Sequence, residues 1–208
     1  MRLLICLFFV FATTATFAQN FEGKIVYENS YKSKIPAVTD EQFVAMLGNK
    51  QDYYIKGNNY KSVTNGQFVK SQLYRGAENK SYTLTAKSDT LYWQDFSENK
   101  TPATRFEILK GKDTVMGLPC DVLIIYSAEG KVSYSYNAKY GVDASLYKQH
   151  AFSNWYYAIS KMNALPLRTV YEDAQFVLTS TAVSADVEKL NGSVFEIADK
   201  AKVAKLPW

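Results

Sequence analysis

Cysteine, histidine and proline are scarce in this chain. Of 208 residues, two are cysteine, five are proline and one is histidine. Cys6 lies in an apolar run near the N-terminus, so the body of the chain keeps one thiol, Cys120, and a lone thiol forms no internal disulfide. One histidine, His150, with one cysteine falls short of a typical structural zinc set. No phosphate-cradling glycine loop, calcium loop or Gly-x-Ser-x-Gly elbow occurs. No metal and no cofactor is therefore expected. Long apolar runs are missing too: Leu3 to Ala12 is about half of the roughly 20 residues that a membrane-spanning helix needs. Nor is there a basic stripe. Net charge is +4 and the lysines are scattered, which disfavours nucleic-acid binding, and Lys200, Lys202 and Lys205 read as a solvated tail.

Groups able to do acid–base or nucleophilic chemistry are equally few. His150 follows Lys148 and Gln149 on a polar approach to a helix, the setting of a solvated or capping histidine. Cys120, in Leu-Pro-Cys-Asp-Val, sits in no nucleophile motif and reads as a buried structural thiol. Asp40-Glu41 fall in the first turn of a predicted helix and Glu172-Asp173 in a hairpin turn, where the helix dipole and turn chemistry account for them. No catalytic residue is assigned, and the protein is expected not to be an enzyme.

What is present begins with an export signature. Residues 1–18 carry one positive charge, a short apolar core and small residues ending at Ala18, which predicts cleavage there and delivery to the periplasm or the periplasmic face of the outer membrane. Residues 19–208, about 190 in all, are expected to form one β domain, long enough to bury a core.

The centre of that domain is a hairpin. Cys120 to Ser127 is a continuous apolar run, the pattern of a strand covered on both faces. Lys131 to Asn137 alternates, with Val132, Tyr134 and Tyr136 on one side, as a half-wet strand does. The turn between them carries Gly130. Strands are predicted at Phe21–Tyr31, Gln51–Lys56, Tyr60–Thr64, Gln67–Tyr74, Ser81–Ala86, Thr90–Asp95, Arg105–Leu109, Pro166–Tyr171 and Gln175–Val187, with a further edge strand at Ser193–Ile197. Phe96 to Thr104 reads as a surface loop. A first helix follows Thr39, whose spacing to Gln42 suits a capping box, and stops at Gly48. Phe152, Trp155, Tyr156, Ile159 and Met162 recur at helical offsets and predict a second helix from about Ala151. The fold class is mainly β (α+β): a curved antiparallel sheet or half-barrel of about ten or eleven strands, with two short helices covering the concave face.

This order of parts resembles the lipoprotein-carrier-like fold of Gram-negative cell envelopes, an incomplete β-barrel plugged by helices. Phe21-Glu22-Gly23-Lys24-Ile25-Val26-Tyr27-Glu28, Met116-Gly117-Leu118-Pro119-Cys120, Leu165-Pro166-Leu167 and Val194-Phe195-Glu196-Ile197 also resemble a family of exported bacterial domains of unknown function. The carriers hold acyl chains in an apolar bowl, so the resemblance implies a hydrophobic small molecule, a lipid or an acyl chain as ligand. An outer-membrane or envelope protein is a further candidate partner. No catalytic residue comes with the resemblance.

Aromatic residues are the excess that remains to be explained: 15% of the chain, with sixteen tyrosines. Same-parity positions on the strands place Tyr27, Trp93, Tyr126, Tyr134 and Tyr136 on the floor of the bowl, and Phe152, Trp155, Tyr156 and Ile159 on a helical lid. Rings with one polar atom suit a ligand that is apolar with polar ends. Two functions fit: an envelope binder of a hydrophobic ligand, or a non-catalytic structural and interaction module with a solid core.

Overall fold

The computed structural model describes residues 20–207. Twelve strands form a single curved, unclosed sheet: β1 (Gly23–Ser33), β2 (Lys50–Lys56), β3 (Asn59–Thr64), β4 (Val69–Arg75), β5 (Lys80–Thr85), β6 (Thr90–Asp95), β7 (Arg105–Val115), β8 (Leu118–Ser127), β9 (Gly130–Gly141), β10 (Ala164–Glu172), β11 (Phe176–Val187) and β12 (Lys202–Lys205). Their spatial order is β12-β6-β5-β4-β3-β2-β1-β11-β10-β9-β8-β7. Strands adjacent in sequence pair within β1 to β6 and within β7 to β11, and β1 with β11 joins the two halves, Gly23 opposite Val187.

Two short helices, α1 (Asp40–Leu47) and α2 (Trp155–Met162), lie against this sheet. The α1 start follows its sequence: Thr39 Oγ1 accepts the Gln42 N–H at 3.2 Å and Gln42 Oε1 accepts the Thr39 N–H at 2.8 Å, which is the expected capping box. Gly48 ends it at φ 91°, a conformation that suits glycine.

Register shows which residues share a face, because directly paired residues point the same way. On the inner face, Thr169 pairs with Ser180 and with Tyr134, and Tyr134 with Leu123. Farther along, Ile55 pairs with Tyr60 and Tyr60 with Tyr74. These side chains and α2 form the main core, which includes Ile25, Tyr27, Tyr147, Ile159, Leu165 and Leu167. A smaller cluster lies on the outer face, where Leu190 and Phe195 cover Leu73 and Tyr82.

Several expectations need correction. Ser193–Ile197 is no edge strand; Gly192–Phe195 is a 3-10 turn whose Phe195 caps the outer cluster. The last strand lies in the tail read as solvated, where β12 pairs parallel to β6, Lys202 binds Asp89 at 2.7 Å and Lys205 sits over the Trp93 ring. Phe96 to Thr104 is more than a surface loop. It connects β6 near one end of the sheet to β7 at the other, and Phe96 is 2% exposed within the core. The second helix starts at Trp155, because Ser153 (φ 50°) and Asn154 (φ 61°) are left-handed and separate Phe152 from it. The export signature lies outside the described residues. Among those described, no helix is long and apolar enough to cross a membrane.

Candidate ligand pocket

The N-terminus of α2 is held down by a crossing loop. Asn154 tolerates its left-handed backbone because asparagine is among the residues that do so at least cost. Its side chain then binds the loop from three sides: Oδ1 accepts from Asn99 Nδ2 (2.6 Å) and the Ala103 N–H (2.8 Å), and Nδ2 donates to Thr101 O (2.9 Å). The Phe96 carbonyl accepts the N–H groups of Ala151 and Phe152, and the Phe96 and Phe152 rings stack at 4.4 Å. Nothing in the local sequence pattern singles out Asn154 or Asn99.

Beneath this clasp lies an aromatic cluster around His150. The histidine is 2% exposed, with its Nε2 2.8 Å from the Tyr60 hydroxyl and its ring packed on Tyr74, Phe96 and Trp155. It is buried, not solvated or a surface cap as its polar neighbours suggest. Burial lowers its pKa to about 4, so it is neutral at physiological pH. His150 Nδ1 is buried with no partner among the described residues. Burial likewise pushes the Tyr53 and Tyr60 hydroxyls far above the ordinary tyrosine range, aided by neighbouring tyrosines, and they remain neutral donors.

Beside this cluster a half-enclosed pocket of about 210 Å³ opens between α2 and strands β1, β2, β10 and β11. It is lined by Tyr27, Gln51, Tyr53, Trp155, Leu165, Pro166, Thr169, Leu178 and Ser180. Tyr27 donates its hydroxyl to the Pro166 carbonyl at 2.7 Å, bracing β1 against β10. Trp155 forms a wall, and its indole Nε1 is buried with no partner among the described residues. A wider cleft of about 670 Å³ at the rim, lined by Asn20, Glu22, Lys139, Glu188 and Lys189 among others, mixes charges of both signs and stands apart from the aromatic face.

The sequence-predicted site residues divide by face. Tyr27 and Trp155 line the pocket; Tyr134, Tyr136 and Ile159 are buried in the core around it, with Tyr156 packed against that core. Phe152 belongs to the clasp. Trp93 and Tyr126 are not on the floor. Trp93 pairs with Tyr82 on the outer face under Lys80, at 4.2 Å from its ring. Tyr126 pairs with Lys131 and Arg105, whose guanidinium covers its ring at 3.4 Å. The inner residues of β8 are Leu123 and Ile125, the parity opposite to Tyr126. Sequence reading missed Tyr53, Gln51 and the β10–β11 contributors. Tyr53 and Tyr54 are adjacent in β2, so alternation there gives no facing, and only the pairing of Gln51 with Tyr27 shows that Gln51 and Tyr53 turn to the pocket.

No protein-family model matches the chain, and no curated protein matches it. Among solved structures it is similar to that of PNGF-II, at TM-score 0.46 and 10% identity over 89% of this chain and 32% of that one. The chain thus spans about a third of the length of that structure. A LolA superfamily protein from Nitrosomonas europaea is a second structural neighbour, at TM-score 0.40 and 12% identity over 86% of this chain and 91% of that one. Neither likeness bears on what the pocket holds.

Proposed function

We propose that the protein is a non-catalytic binder or carrier of a hydrophobic ligand, a lipid or an acyl chain, working in the periplasm or at the cell envelope. The observation that carries this reading is the pocket between Trp155 and the inner face of the sheet. It is concave and aromatic, with apolar walls at Leu165, Pro166 and Leu178 and no charged residue in its lining. The apolar leader at residues 1–18 supports the compartment. Two facts favour binding over catalysis: His150 is sealed among aromatic rings, and the Cys120 thiol, 1% exposed, is kept protonated by burial.

At about 210 Å³ the pocket is smaller than the roughly 300 to 1,000 Å³ of most ligand sites, so it takes the leading part of a chain. The same small volume favours the second reading, a structural module whose inner face is a solid core.

Trp155→Ala separates the two. For a pocket wall, the lost contacts lie on one side only; denaturant unfolding should then show a loss of about 1 to 2 kcal/mol, and titration with a fluorescent acyl probe a marked change in affinity. For a solid core, the loss should be roughly 3 to 5 kcal/mol. That loss, together with no probe binding to the wild type, would leave the structural module.

A further inference from the structure

The sheet ends at two unlike edges. β12 is four residues long, whereas β7 runs for eleven, and the outer N–H and C=O groups of β7 meet no further strand among the described residues. An open edge of that length is a template for another strand. Its regular part is short and bounded. Pro102, which has no N–H to give, stands just before it, and after Leu109 the pairing with β8 shifts at a bulge that holds Gly111 at φ 60°. Lys110 and Lys112, the residue type that guards strand edges, stand in the bulge and outside the regular part.

Within that part the side chains alternate. Phe106 and Ile108 pair with Ile125 and Leu123 on the inner face, while Arg105, Glu107 and Leu109 point outward. Phe106 touches Tyr157 of α2 edge-on at 5.9 Å and is still 40% exposed, an apolar ring left at the rim. Arg105 and Glu107 pair with each other along the exposed outer face. The stretch from Thr104 to Ile108 is therefore centred on Phe106, with a cation one step before it and an anion one step after. Set antiparallel against itself, it places Arg105 opposite the partner's Glu107, Glu107 opposite the partner's Arg105, and Phe106 opposite the partner's Phe106.

We propose that β7 is a docking edge for a second copy of this chain, joined as an antiparallel twofold pair centred on Phe106, so that two sheets become one. Charge sets the register. The faces stay matched only when the strands slide by two residues; one such slide sets Glu107 against the partner's Glu107 and the other sets Arg105 against the partner's Arg105, and like charges directly opposite are unfavourable. A foreign strand of one charge sign would meet a like charge, whereas the chain's own edge meets none. Lys110 falls opposite the partner's Pro102, where pairing stops. The contact uses the same patch on both copies, so it closes at two.

Sedimentation equilibrium from about 1 to about 200 μM should show a mass rising toward twice that of the monomer. Glu107→Arg and Arg105→Glu each set like charges opposite at both ends of the pair, and each should weaken the dimer by about tenfold or more. Mixed one to one, these two variants present two cations against two anions, and the mixture should dimerise where neither variant does alone. Phe106→Cys should cross-link to its own copy in oxidised glutathione, because directly paired Cα atoms lie about 4.5 to 5.5 Å apart, within the span of a disulfide. Ile108→Cys, about 13 Å from its own copy along the strands, should not. A wild type that stays monomeric throughout would overturn the proposal, as would single charge variants that dimerise like the wild type. A mixture that stays monomeric, or Ile108→Cys cross-linking as readily as Phe106→Cys, would overturn the register. Urea midpoints check that the variants are folded, and the wild-type mass needs no variant at all.

Discussion

His150 shows how far one side chain can be displaced from the behaviour its neighbours in sequence suggest. Its ring is enclosed by Tyr60, Tyr74, Phe96 and Trp155, and burial lowers its pKa from 6.5 to about 4. A histidine with a depressed folded pKa favours the fold when neutral. Its contribution is complete above pH 6.5 and is lost as pH falls toward 4, where the unfolded chain binds a proton that the folded one refuses. Over that window the loss approaches roughly 3 kcal/mol. Urea midpoints measured at pH 7, 6, 5 and 4 should fall accordingly, and His150→Phe should flatten the decline; a parallel decline in the variant would assign the effect to other groups. Cys120 makes the second residue-scale prediction. Its thiol is 1% exposed and donates to the Leu118 carbonyl at 3.4 Å, and burial raises its pKa. A thiol reagent should modify folded protein far more slowly than urea-unfolded protein, and equal rates would place Cys120 at the surface.

Between strands and plug, the decisive element is the clasp of residues 96–104 over the start of α2. Asn154 makes three hydrogen bonds to it from a left-handed backbone, and alanine supplies neither the bonds nor the tolerance. Asn154→Ala should cost about 1 to 3 kcal/mol in denaturant unfolding. If α2 is a lid, the same change should speed probe association in stopped flow; an unchanged rate would show that the probe enters elsewhere. Much of this level was legible in the sequence, because turn and cap chemistry is local. Gly48, the Thr39–Gln42 pair and Gly130 lie where the pattern puts them, and the strands from β1 to β11 are found near their expected places, although β7 runs on from Leu109 to Val115 and β9 from Asn137 to Gly141. The clasp was not legible, since its bonds join residues more than fifty positions apart and nothing local marks Ser153 and Asn154 as a break in an otherwise helical pattern. Facing failed on β8 for a related reason. A run apolar at every position from Val122 to Tyr126 has no period, and only its register against Tyr134 shows that Leu123 and Ile125 turn inward. Tyr27 and Trp155 line the pocket, while Tyr126 on β8 and Trp93 on β6 face outward.

Across the whole molecule, the sheet has two long-range pairings, β12 with β6 and β1 with β11, and the second is the seam that joins its halves. Strands β1 to β6 pair in sequence order, as do β7 to β11, and the halves meet where β1 pairs with β11 from Gly23–Val187 to Ser33–Phe176. A fragment ending at residue 99 contains the first half but leaves β1 without that partner. It should self-associate in analytical ultracentrifugation, and addition of residues 100–207 should return it to a defined complex; a monodisperse, folded fragment would show that the first half stands alone. The same seam imposes an order in time. Each half can zip up locally as its neighbouring strands form, but β1 leaves the ribosome long before β11, the partner it waits for. Until β11 is made, the nascent protein therefore presents an open strand edge with Ile25, Tyr27 and Tyr31 beside it, and whatever escorts it must shield that edge until residue 187 arrives.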